Sequence, residues 1–305
     1  MATPVNSVLV LGAGELGMAL LEALALHPRR QTTKLAVLLR QSTVESSDEE
    51  KRSKIEQLQS WNVAVEPADV LAASVEDLAA IFGKYHTVVS CTGMELPSGT
   101  QTKLAKAISQ SQASRYFPWQ FGMDYEVIGQ GSSQDLFDEQ LEVRRLLREQ
   151  KTVDWVIVST GLFMSFLFVE AFGVVELDKK IVRALGSWDN RITVTTPKDI
   201  GRVTADVILD PRQIKNEVVY TAGDTIEYGQ LADVLDHVYG SKFTRELWDL
   251  DILKRQMAED PNVMVKYRDT FAQGVGVAWD MARTVNAERG IKMTDLRDYL
   301  EALKK

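Results

Sequence analysis

The chain has 305 residues, with 35 Lys and Arg against 43 Asp and Glu and a formal net charge of −8. Hydrophobic residues make up 45% and charged residues 26%, which suits a large core in one large domain or two smaller ones. The acidic balance speaks against nucleic acid as the partner, and the single cysteine, Cys91, excludes an internal disulfide framework and fits a reducing, cytoplasmic setting.

The opening run MATPVNSVLVLGAG carries no basic leader. Residues 161–169 form the densest apolar stretch, far short of the roughly 20 that a membrane-spanning helix needs. His27, His86 and His237 are scattered, so no metal site is expected.

Ser7 to Leu11 (SVLVL) reads as a fully buried strand ended by glycine. GAGELG follows, with Gly12, Gly14 and Gly17 in G-x-G-x-x-G spacing, then an apolar helix and a second buried strand, Lys34 to Leu39. The spacing has a mechanical reason. The first glycine permits a tight turn, the second lets backbone approach a pyrophosphate, and the third lets helix and strand pack closely. The helix N-terminus, with Glu15 and Leu16 in its first turn, then offers N–H groups to phosphate. The alternative is a glycine-rich turn that binds nothing.

The end of the second strand selects the dinucleotide. NAD sites want an acid there; this chain has Arg40, followed by Gln41, Ser42 and Thr43. A guanidinium with adjacent hydroxyls suits a 2′-phosphate, so NADP(H) is expected. A solvated strand-end charge is the other reading of Arg40. Lys54, beyond the charged run Ser46 to Lys54, is either a further phosphate contact or a surface lysine.

A third strand is expected at Val63 to Val65, a helix capped by Ser74 and Asp77, and a fourth strand at His86 to Cys91. That strand ends in Thr92-Gly93, which points at the ligand crevice of a doubly wound sheet. A helix at Gln101 to Ala113 and a fifth strand at Arg115 to Phe117 follow. The alternation predicts an α/β Rossmann fold, a doubly wound parallel sheet with a smaller α+β C-terminal substrate region. The expected division is 1–160 for the nucleotide domain, with later strands returning to it, and 161–305 for the substrate region.

LVLGAGELG, LLRQST, VVSCTG, RYFPWQFGMD, VRRLLREQ and WVIVSTGLF together resemble the NmrA-like and isoflavone-reductase-like branch of the atypical short-chain dehydrogenases, and the later stretches FGVVEL, ALGSWDN and KYRDTFAQGVGVAWD look most like its fungal members. The resemblance is dense in the N-terminal half and loose in the C-terminal half. It implies NADPH-dependent reduction of aromatic or conjugated small molecules, or dinucleotide binding without turnover in regulatory members. By the same resemblance Gly12, Gly14 and Gly17 form the pyrophosphate loop, and Arg40 and Lys54 are the basic positions. Phe117 to Gly122 (FPWQFG) matches a turn near the nicotinamide, where serine and glutamate are usual at the positions of Trp119 and Gln120. The lysine that the reductases use in catalysis corresponds to Gln140, counted back from Arg144-Arg145. Glutamine cannot titrate, so it cannot be a general acid or base.

Leu136, Gln140, Val143 and Leu147 share one apolar helical face, so the Gln140 amide is expected either in the site or bonded to backbone. None of the eight tyrosines has lysine four residues on. Tyr125 and Asp124 are therefore the candidate proton sources, each with a structural alternative: a loop tyrosine, and a cap or Asx turn.

Further strands are expected at Asp154 to Ser159, Arg191 to Val194 and Glu217 to Tyr220. Helices are expected after Thr196, from Thr225–Tyr228 to Tyr239, and over Lys254 to Lys266 and Tyr267 to Gln273. Trp119, Phe121, Met164, Phe168 and Trp188 are the candidate substrate-pocket residues, with core packing as the alternative. The expected partner is a small, aromatic molecule, with no nucleic acid and no membrane, in a monomer or homodimer. Hydride transfer to C=O, C=N or C=C leads, against a redox-sensing regulator and a non-redox isomerase or cyclase.

Overall fold

The computed structural model describes residues 6–94 and 96–304. In chain order the first half runs β1 Ser7–Leu11, α1 Glu15–Leu26, β2 Lys34–Leu39, α2 Gln41–Val44, α3 Glu49–Ser60, β3 Val63–Pro67, α4 Val75–Phe82, β4 Thr87–Ser90, α5 Thr100–Gln110 and β5 Arg115–Phe117. Then come α6 Tyr125–Ile128, α7 Leu136–Glu149, β6 Asp154–Ser159, β7 Leu162–Phe163, β8 Val175–Glu176, β9 Ile181–Leu185, β10 Arg191–Thr195 and α8 Pro197–Leu209. The chain continues through β11 Glu217–Tyr220, β12 Asp224–Glu227, α9 Tyr228–Tyr239, β13 Thr244–Trp248, α10 Leu250–Glu259, α11 Val263–Ala272, α12 Val285–Arg289 and α13 Leu296–Leu303.

Two compact units emerge. The first holds residues up to 120 together with 139–158 and 200–219; the second holds 121–138, 159–199 and the chain from 220. In the first, seven strands line up as β11-β6-β5-β4-β1-β2-β3. β1 pairs in parallel with β2 on one side and with β4 on the other. Strands at the centre of a parallel sheet have both faces covered, which is why they read as unbroken apolar runs rather than alternating ones. Leu9, Leu11, Phe82, Val88, Leu104, Ile108, Tyr116 and Ile157 are fully buried in one cluster. The strand order reverses between β1 and β4. A doubly wound sheet therefore opens its ligand crevice beyond the carboxyl ends of these two strands. α4 is set by a reciprocal capping box between Ser74 and Asp77.

The second unit carries two three-stranded sheets, β12-β10-β7 and β13-β9-β8. Here the sequence reading needs correction. The helix expected over Lys254 to Lys266 is two helices, because Pro261 follows the end of α10 and Asn262 caps α11, accepting from the Met264 and Val265 amides. Thr225 lies in a strand rather than at a helix entrance, and Thr193 and Thr225 share a 2.8 Å hydroxyl bond across β10 and β12. β9, β13 and α13 escaped the sequence reading altogether.

Candidate functional site

The glycine turn follows β1 directly. Gly12 has φ of +93°, a region that only glycine enters without strain. A Cβ at Gly17 would sit 2.2 Å from the Gly12 carbonyl oxygen, so helix and turn touch through the missing side chain. A Cβ at Gly14 would meet nothing within 4 Å: the space above this residue is open. Gly14 is also the N-cap of α1 and supplies no side-chain acceptor, so the first amides of the helix face outward without a side-chain cap. Glu15 is exposed, whereas Leu16 is 5% exposed and can offer a ligand only its backbone. These features fit a diphosphate held on backbone N–H groups. Beneath the turn lies Cys91, its Cβ 3.6 Å from where a Gly17 side chain would begin. Burial pushes its thiol up, away from the reactive thiolate.

Arg40 is exposed at the end of β2 and caps α2 with its carbonyl, which accepts from the Thr43 amide at 2.8 Å. Its guanidinium has no hydrogen-bond or ion-pair partner among the described residues. Thr43 is half-buried. Lys54 is engaged one turn back along α3, 2.6 Å from Glu50.

The ends of β4 and β5 form the third part. Gly93 is buried against Trp119: a Cβ there would fall 2.0 to 2.4 Å from three ring atoms of the indole. The Thr92 carbonyl accepts from Gln101 Nε2 at 3.0 Å. Phe117 is fully buried under the Arg115 guanidinium. The chain then bends sharply, the Gln120 amide donating to the Pro118 carbonyl at 2.8 Å. Both ends of the Gln120 side chain are fixed. Arg144 Nε donates to Gln120 Oε1 at 2.7 Å, and Gln120 Nε2 donates to the Gln140 carbonyl at 2.8 Å. The structure thus brings together Gln120, next to Trp119 in the chain, and Gln140, all three singled out in the sequence. The Gln140 side chain is 0% exposed, and neither its nitrogen nor its oxygen has a hydrogen-bond partner among the described residues. An amide so placed is unfavourable by roughly 1–3 kcal/mol for each unmet group.

In the second unit, Asp124 is 8% exposed and accepts the Tyr220 hydroxyl at 2.6 Å. Tyr220 lies edge-on to Trp279 and under the Arg283 guanidinium. The Trp279 indole nitrogen is buried without a hydrogen-bond partner among the described residues. Tyr220 and Trp279 were missed in the sequence because nothing in local spacing links them to Asp124, which precedes Tyr220 by 96 residues. Tyr125 is 6% exposed and tilts against Phe137, whose other neighbour is Tyr267. Met164 is fully buried and Phe121 is 8% exposed; Phe168, against Tyr299, and Trp188 are half-buried. No group of three or more metal-ligating side chains occurs among the described residues, and no helix there is long and apolar enough to cross a membrane.

Residues 4–300 match the model of the NmrA-like family. The chain is 57% identical over 297 residues to an NmrA-like family domain-containing oxidoreductase of Gibberella moniliformis (strain M3125 / FGSC 7600), covering 97% of each. Among solved structures, an isoflavone reductase superposes with a TM-score of 0.80 at 19% identity, over 98% of this chain and 99% of that one. The binary complex of leucoanthocyanidin reductase with NADPH from Vitis vinifera gives 0.79 at 18%, over 97% and 98%.

Proposed function

The chain belongs to the NmrA-like family, and from that premise we propose that it is an NADPH-dependent reductase of a bulky aromatic or conjugated small molecule. The observation that carries the reading is the glycine turn at the point where the strand order reverses, with an unengaged guanidinium at the end of the neighbouring strand. Gly12, Gly14, Glu15, Leu16 and Gly17 would hold the diphosphate through backbone. Arg40, with Thr43 three residues on and Lys54 farther along in α3, would meet the 2′-phosphate; Lys54 must first leave Glu50. Thr92, Gly93 and Trp119 would border the nicotinamide end with Gln120 behind them, whereas full burial of Phe117 assigns it, like Met164, to the core. The bound dinucleotide supplies the hydride for a C=O, C=N or C=C acceptor.

The chain's own contribution is positioning. Gln120 fixes the turn that carries Trp119, and Arg144 fixes Gln120. Gln140 holds no titratable proton, so its part is confined to hydrogen bonding after its amide turns out of the packing. Within the second unit, the Tyr220 hydroxyl donates to the Asp124 carboxylate at 2.6 Å, and this reading keeps that pair as the candidate proton source. Packing of Tyr125 against Phe137 favours a structural role for that phenol. Phe121, Phe168 and Trp188 are the pocket candidates that this reading retains; full burial of Met164 assigns it to the core.

Calorimetry with NADPH and NADH tests the reading. Arg40→Glu should cut the preference for NADPH by at least about tenfold, the value of one charge-assisted contact. An unchanged preference would remove Arg40 from the 2′-phosphate site. One observation favours a second reading, a regulator that binds NADP(H) without turnover: the buried, non-titrating Gln140 where the resemblance expects lysine. A protein that binds NADPH yet consumes none with any aromatic ketone, imine or enone in a panel would be that regulator.

A further inference from the structure

We propose that Trp119 is the specificity-determining wall of this crevice, and that it selects a planar, conjugated fused-ring acceptor such as a quinone over an aliphatic ketone. The inference rests on the reading above and names its substrate class. Three observations from one unit carry it. Trp119 follows β5, beside β4 in the sheet, and its indole lies on Gly93 just past the end of β4, one of the two strands that flank the reversal of strand order. The indole can lie so close only because residue 93 has no side chain. The turn that carries it is held by the Gln120–Pro118 backbone bond and by the Arg144–Gln120–Gln140 bracket, so the ring is presented in one place.

Trp119 nevertheless remains half-buried rather than enclosed. One part of the indole is spent on Gly93 and the residue keeps some exposed surface, which the proposal assigns to the crevice as a flat apolar wall. Stacking on such a surface rewards a ring system that is flat over its whole area and does little for a puckered one. Serine, which the resemblance expects at this position, would offer no such surface. The side chain does not reach the chemistry by acid or base action; it acts on which molecule settles beside the hydride donor.

The test uses the full chain saturated with NADP+, the oxidised form, so that binding is measured without turnover. Menadione and a decalone, similar in size but flat and puckered respectively, are titrated by calorimetry. Wild type should bind menadione at least about tenfold more tightly than the decalone. Trp119→Leu, which keeps apolar bulk and loses the ring, should abolish that ratio. Trp119→Phe should restore most of it, which a purely structural role would not require. Gly93→Ala places a methyl group inside the indole's present position and should copy the leucine variant. Equal ratios in wild type and Trp119→Leu, or no menadione binding by the NADP+-loaded wild type, would overturn the proposal and leave the reductase reading standing. Absence of NADP+ binding itself would remove both.

Discussion

Two glycines in one turn have opposite reasons for being glycine, and mutation separates them. At Gly17 an added methyl runs into the Gly12 carbonyl, so the fold itself must give way. Gly17→Ala should lower stability by about 1–3 kcal/mol, the usual cost of overpacking, and weaken dinucleotide binding as a consequence. At Gly14 the backbone is in the ordinary extended region and a methyl would touch nothing. Gly14→Ala should therefore unfold at the wild-type urea midpoint while losing NADPH affinity, because the methyl fills the path of the diphosphate. Matching losses of stability in both variants would contradict this division. Gln120 is a third residue-scale case. Its removal takes the acceptor from the buried Arg144 Nε and breaks the tie to the Gln140 carbonyl, which keeps its bond along α7. Gln120→Ala should cost about 1–3 kcal/mol in urea unfolding, the value of one buried polar group deprived of its partner; a cost under about 0.5 kcal/mol would mean that the bracket does not bind the turn to α7.

At the scale of elements, the junction between α9 and β13 is held by charge. Burial pushes the Asp236 carboxyl up, but the Lys242 ammonium, the Phe243 amide and the Arg245 guanidinium outweigh it and hold the group down at about 2. An acid whose pKa is lowered by folding stabilises the fold above its unfolded value, about 3.9, and loses that contribution as the pH falls through its folded value. The difference in stability between wild type and Asp236→Asn should therefore be constant above about pH 5 and close between about pH 4 and pH 2. A difference that persists unchanged at pH 2 would exclude this carboxylate as the source. Helix termini were the most legible elements in the sequence. Ser74 with Asp77 announced α4 because capping is local chemistry read from four residues. The break between α10 and α11 was just as local, and Pro261-Asn262 was overlooked only because apolar periodicity continues on both sides.

For the molecule as a whole, legibility followed range. The parallel sheet could be read because continuous β-branched runs and the glycine turn are written within forty residues. The small sheets of the second unit could not, since β9 pairs with a strand more than sixty residues away and each is short. The same holds for function. The cofactor turn and Arg40 lie within a single β-α-β stretch, whereas Tyr220 reaches Asp124 across 96 residues and leaves no trace in spacing.

The position of the lone cysteine has a practical corollary. Cys91 lies under the turn at Gly17, inaccessible in the resting fold. A sulfhydryl reagent can reach it only when this corner breathes, so its modification rate is a clock for that opening, free of interference from any other thiol. Saturating NADPH should slow the clock by the factor 1 + [L]/Kd, about a hundredfold at one hundred times Kd. A rate indifferent to the nucleotide would locate the opening, and the ligand, elsewhere.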